Sequence, residues 1–117
     1  MLEAIKGDKM VVLMTMDVPV SREDAEVVSA AMGPDDPPRG LIAHVMTRRP
    51  DGVHVVDIWE RQEDFQKFSD EQFLPTMQRV LDERGISLDG PPPEPTLEEA
   101  FEFVRGRRHL SLVRSSY

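Results

Sequence analysis

The chain has 117 residues, a length that suits one domain with its own core. It has no Cys, which excludes disulfides, thiolate metal sites and thiol nucleophiles, and is compatible with a reducing cytoplasm, the expected location. The net charge is −8, but residues 105–117 carry four Arg and no acid, so the other 104 residues hold 10 basic and 22 acidic side chains. An acidic body argues against nucleic acid or an anionic membrane as partner, because both reward positive surface.

In chain order, residues 1–9 read as a flexible N-terminus. They lack the order of a signal peptide: Glu3 and Asp8 precede the apolar run, and no small-residue cleavage site follows it. No apolar run reaches the roughly 18 residues that a membrane-spanning helix needs. Met10–Val20 is nearly all apolar and reads as a strand buried on both faces. Ser21 then stands as N-cap, with Asp24 three residues on, for a helix over about Arg22–Met32 that Gly33 and Pro34 terminate. Asp35–Arg39, with two prolines, is a loop.

Gly40–Glu60 reads as a β-hairpin turning at Arg49-Pro50-Asp51-Gly52. Leu41, Ile42 and Val45 lie before the turn, and Val53, Val55, Val56, Ile58 and Trp59 after it; these are strand formers. Two loop lengths are open. A two-residue loop sets His44 opposite Asp57. A three-residue loop with a left-handed Gly52, the favoured reading, sets His44 opposite Ile58 and puts His44 and Trp59 on opposite faces.

A helix follows from near Arg61, with Phe65, Phe68 and Gln72 on one face. Pro75 cannot donate to the carbonyl of residue 71, so the helix should kink or break there, with one helix to about Gln72 and a second from near Leu74 to Arg84. Ser87–Pro95, with four Pro and one Gly, is an extended linker. Thr96–Arg105 fits either a helix or a strand by local preference. The strand completes a β-α-β-β-α-β order, and on that ground the fold expected is α+β, ferredoxin-like: a four-stranded antiparallel sheet with helices on one face. The domain is then residues 10–104, followed by a basic tail over 105–117. Both faces of the sheet are apolar in sequence and helices cover only one, so the open face calls for a partner, most economically a second copy of the chain.

The run GLIAHVMTRRPDGVHVVDIWERQEDFQKF, followed by FLPTM, resembles small proteins of the dimeric α/β-barrel superfamily, of unknown function and related to antibiotic biosynthesis monooxygenase-like domains. Gly40, His44, Gly52, Val55, Asp57, Trp59, Glu60, Phe65, Phe68 and Leu74-Pro75 match its pattern. The resemblance implies a homodimer joined as a dimeric α/β barrel, and a pocket between sheet and helices in which a Trp helps to hold an aromatic molecule. The chain departs from the pattern at Arg61, where a Ser usually caps the helix, and at Phe101–Val104, where a His is usual.

No nucleotide loop, nucleophile elbow or zinc-protease motif is present. The candidate catalytic residues are His44, as a base, and Asp57, as its orienting carboxylate, against the favoured reading of a structural His satisfied by backbone or by the dimer partner. Trp59, Phe65, Phe68 and Met46 are the candidate pocket lining, with Met10, Met14 and Met16 as further adaptable wall, although core packing is the favoured reading of Trp59 and of the methionines. No metal or cofactor is expected: His44 and His54 would sit roughly 10–13 Å apart along the strands. The function implied is a cofactor-independent monooxygenase-like or isomerase-like reaction on a small aromatic molecule. The alternatives are a non-catalytic binding or scaffolding dimer and, with less support, haem binding.

Overall fold

The computed structural model describes residues 11–33, 35–88 and 90–106. The expectations for residues 1–9 and for most of the basic tail lie outside the described residues. The elements are β1 (Val12–Val18), α1 (Arg22–Ala31), β2 (Leu41–Arg49), β3 (Gly52–Trp59), α2 (Gln62–Phe68), a π-helical segment (Ser69–Phe73), α3 (Leu74–Glu83) and β4 (Thr96–Glu99). The sheet is antiparallel in the order β2-β3-β1-β4. This is the ferredoxin-like arrangement, with the helical elements packed on one face.

Alternation along the strands sorts the side chains. Val12, Met14, Met16 and Val18 of β1, and Val53, Val55, Asp57 and Trp59 of β3, face the helices and are buried. Ala25 and Val28 of α1, Phe65 of α2, and Met77, Val80 and Leu81 of α3 complete the core. The expectation that β1 is buried on both faces is therefore corrected. Leu13 and Thr15 are only half-buried and Asp17 is exposed, because none of the described helices packs on the far side of the sheet.

Local chemistry starts α1 as expected: the Ser21 hydroxyl accepts the Asp24 backbone N–H at 3.1 Å. At α2, Arg61 stands at the cap and makes no capping bond, the consequence of losing a Ser there. Arg84, just past α3, donates to Asp24 at 2.7 Å and to Glu23 at 3.1 Å, which ties the end of α3 to the start of α1. The hydrogen bond to Asp24 is the main cause of a raised pKa for the already permanently charged Arg84.

Pro75 disturbs the helix as expected and a new α-helix starts at Leu74, but the segments stay continuous rather than breaking apart. A π-helical turn over Ser69–Phe73 runs directly into α3, with Pro75 near its start. The wide turn has two consequences. It accommodates a proline that would clash with the carbonyl of residue 71 in a regular helix. It also keeps Phe65, Ser69, Phe73, Met77 and Leu81 on the core side. At about 3.6 residues per turn, a four-residue repeat drifts about 40° each turn, and four repeats would swing the stripe by about 160°. A π turn takes up part of that drift.

Strand β4 answers the ambiguity at 96–105 in part. Thr96–Glu99 pairs with β1, from Thr15↔Thr96 to Val12↔Glu99, and the Ala100 N–H adds one more bond to the Val11 carbonyl at 2.8 Å. The strand expected to reach residue 105 stops there. Phe101 and Val104 are strongly exposed.

Candidate functional site

The hairpin register decides the site. Arg49 pairs with Gly52 and His44 with Asp57, so the loop is the two residues Pro50-Asp51. The favoured three-residue loop is thereby corrected. Gly52 has φ of 156°, far from a left-handed turn, and belongs to the strand. A Cβ at Gly52 would run into the Val18 carbonyl oxygen and Pro19 Cα, so glycine is required there by close approach of β1. A bulge at the far end of β2, between Leu41 and Ala43, absorbs one residue and returns Leu41 to a position opposite Trp59.

His44, Met46, Asp57 and Trp59 consequently all face the helices. The His44 Nδ1 lies 2.7 Å from Asp57 Oδ1, and the Trp59 indole N–H donates to Asp57 Oδ2 at 3.1 Å. Asp57 is 4% exposed and Trp59 fully buried, whereas the His44 side chain is 43% exposed. A buried carboxylate needs such donors, since each unsatisfied polar group costs about 1–3 kcal/mol. Among the described residues, no buried side-chain polar atom lacks a partner.

Trp59 packs edge-on against Phe65 at 5.7 Å between ring centres and lies tilted against Phe68 at 5.4 Å. Phe68 in turn stacks on Phe73 at 6.4 Å. These rings do not fill the space between sheet and helices. A cavity of about 270 Å³ remains, close to the lower end of ligand-pocket sizes, roughly 300–1,000 Å³. Its wall includes Met14, Met16, Met46, Trp59, Phe65 and Phe68, with His44 and Asp57 also on its border. Met10, also expected on that wall, lies outside the described residues.

Sequence reasoning missed Phe73, Gln72 and Met77, which also border the cavity, and the rim at Asp36, Pro37 and Pro38. Gln72 and Phe73 are placed by the π turn, for which Pro75 was the available signal. The rim loop carries no motif that would mark it. None of the described residues bordering the cavity is Lys or Arg.

His54 belongs to a different part of the molecule. It pairs with Thr47 across the hairpin, three positions from Asp57, and so lies on the open face, where its Nδ1 is 2.7 Å from Asp17 Oδ1. His44 and His54 point to opposite sides of the sheet. Among the described residues, no group of three or more His, Asp or Glu side chains is placed to hold a metal ion, and no helix is long and apolar enough to cross a membrane.

No protein-family model matches the chain, and no curated protein matches it in sequence. Solved structures do match. An antibiotic biosynthesis monooxygenase-like protein from Caulobacter crescentus superposes with a TM-score of 0.59 at 14% identity, over 81% of this chain and 93% of that one. A conserved protein from Methanosarcina mazei gives 0.56 at 11% identity, over 79% and 94%. SnoaB, a cofactor-independent oxygenase from Streptomyces nogalater, gives 0.51 at 19% identity, over 84% and 98%. At such identities the likeness is one of fold: this chain is a ferredoxin-like α+β protein with the architecture of antibiotic biosynthesis monooxygenase-like proteins.

Proposed function

We propose that this protein is a cofactor-independent enzyme, of monooxygenase or isomerase type, acting on a small aromatic molecule. The observation that carries the proposal is the His44–Asp57 hydrogen bond at the border of a mostly apolar cavity. In the proposed mechanism, the Asp57 carboxylate accepts a proton-bearing Nδ1, so the Nε2 of neutral His44 keeps its lone pair. That nitrogen removes a proton from a phenolic or enolisable substrate. The resulting anion is electron-rich. Reprotonation at another carbon is isomerisation. Addition of dioxygen at that carbon, with return of the proton, gives a hydroperoxide whose electrons all come from the substrate. Neither route requires a metal or flavin. The absence of Lys and Arg from the described cavity wall favours a substrate that enters uncharged.

The same proposal includes a homodimer formed through the open sheet face. Leu13, Ala43, Val45, Val56 and Ile58 lie on that face, and Val45 is 52% exposed. Sedimentation or light scattering tests this part: a monomer at micromolar concentration removes it, and Val56→Arg should convert a dimer to monomer.

The chemistry is tested by screening phenolic and enolisable compounds for oxygen uptake or isomerisation, with His44→Gln as control. Turnover should fall by about 10²–10⁴-fold in the variant. Turnover that survives the substitution removes the base. Ligands that bind the cavity but never turn over would leave a binding protein instead.

A further inference from the structure

Asp57 has two donors and they are not equivalent. Its Oδ1 faces the Nδ1 of His44, a ring nitrogen that either donates or accepts according to tautomer, and its Oδ2 faces the Trp59 indole N–H, which only donates. Trp59 is fully buried between the sheet and Phe65, so its N–H has nowhere else to turn. We propose that Trp59 is a positioning residue: by donating to one side of residue 57, it holds that side chain in the orientation in which its other atom meets the His44 Nδ1. The proposal rests on the reading of His44 as the base.

The consequence becomes visible when the symmetry of the carboxylate is removed. A carboxylate accepts on both sides, so His44 presents Nδ1–H and Nε2 stays free. An Asn at position 57 has one accepting oxygen and one donating NH₂. The indole N–H claims the oxygen, and the NH₂ is left facing His44. Nδ1 must then accept, the proton moves to Nε2, and the base is lost although the geometry is kept. If the indole donor is removed as well, the Asn amide is free to turn over. Its oxygen then faces His44 and the original tautomer returns. Two losses of function at neighbouring positions should therefore compensate, which a merely structural Trp would not allow.

The test is the tautomer of His44, read by ¹⁵N chemical shifts and ring couplings in protein labelled at histidine. The chain has three His, and the His44 signals are assigned from their loss in His44→Gln. Asp57→Asn is compared with the same substitution in protein carrying the benzothiophene analogue of Trp at position 59. That analogue keeps the volume of the indole and puts sulfur where the N–H was; Trp59→Phe provides a second version. The expected order is Nδ1–H in the wild type, Nε2–H in Asp57→Asn, and Nδ1–H again when the indole donor is also absent. Asp57→Asn with Nδ1–H, or with Nε2–H whether or not the indole N–H is present, overturns the positioning role and leaves the base intact. Wild-type protein with its proton on Nε2 overturns the base reading itself. The two failures are thus told apart by which sample departs.

Discussion

Replacing Asp57 by Ala should destabilise the fold mainly through the residue it abandons. The Trp59 N–H donates to Asp57 Oδ2 at 3.1 Å and the indole is fully buried, so the substitution removes the only acceptor found for it among the described residues. Leaving such a donor unsatisfied costs about 1–3 kcal/mol. His44 loses a bond too, but its side chain is 43% exposed, so water can take over and the loss is about 1 kcal/mol or less. Relief of the buried carboxylate's desolvation offsets part of the total. The net expectation is about 1–3 kcal/mol, or a fall in Tm of roughly 4–8 °C for each kcal/mol in a domain of this size. The assay is equilibrium urea unfolding, followed by far-UV circular dichroism so that variants lacking the Trp are read the same way. Asp57→Ala and Trp59→Phe are measured singly and together, and likewise Asp57→Ala with His44→Ala. The Asp57–Trp59 coupling should exceed the Asp57–His44 coupling, because only the first donor is fully buried. A loss for Asp57→Ala below about 0.5 kcal/mol, or the reverse order of couplings, would refute the reasoning.

Other expectations follow from the same geometry. Gly52→Ala should cost about 2 kcal/mol or more in chemical denaturation, since the new Cβ meets the backbone of Val18 and Pro19 rather than a movable side chain. Gly40→Ala should cost about 1–2 kcal/mol, because φ is +87° there, while the Asp64 side chain in its way can rotate aside. Ser21→Ala removes the acceptor for the Asp24 N–H and should cost about 1 kcal/mol, with no change in ligand binding. Met46→Trp should fill the cavity and abolish binding of any ligand seen by quenching of the single Trp of the wild-type chain, while unfolding stays cooperative.

Much of the fold was legible because its signals are local. The Ser21 cap, the Gly33 stop, the hairpin at Pro50–Asp51 and the segment order each depend on residues within a few positions of one another. The strand at Thr96–Glu99 was legible only through topology, since its local preferences are mixed. Its end was not legible, because it depends on how far β1 extends alongside it. The π turn was half legible: Pro75 announces a disturbance, but whether the helix breaks or widens depends on the core stripe from Phe65 to Leu81 having to stay against the sheet.

The candidate site divides in the same way. The amino-acid sequence by itself singled out the candidate residues: one His, one Asp and one Trp on apolar strands, with Phe65 and Phe68 downstream. Only the tertiary structure decided that they meet. Side chains alternate across a strand with a period of two, so a one-residue slip would send His44 to the opposite face from Asp57 and Trp59. Local turn preferences favoured that slip. Strand β1 rules it out by pairing Val18 with Val53 and pressing its carbonyl against Gly52, 34 positions along the chain, which keeps Gly52 in the strand opposite Arg49. The bulge between Leu41 and Ala43 then restores Leu41 to the core side. A contact between distant segments, invisible to any local rule, thereby brings His44 to Asp57.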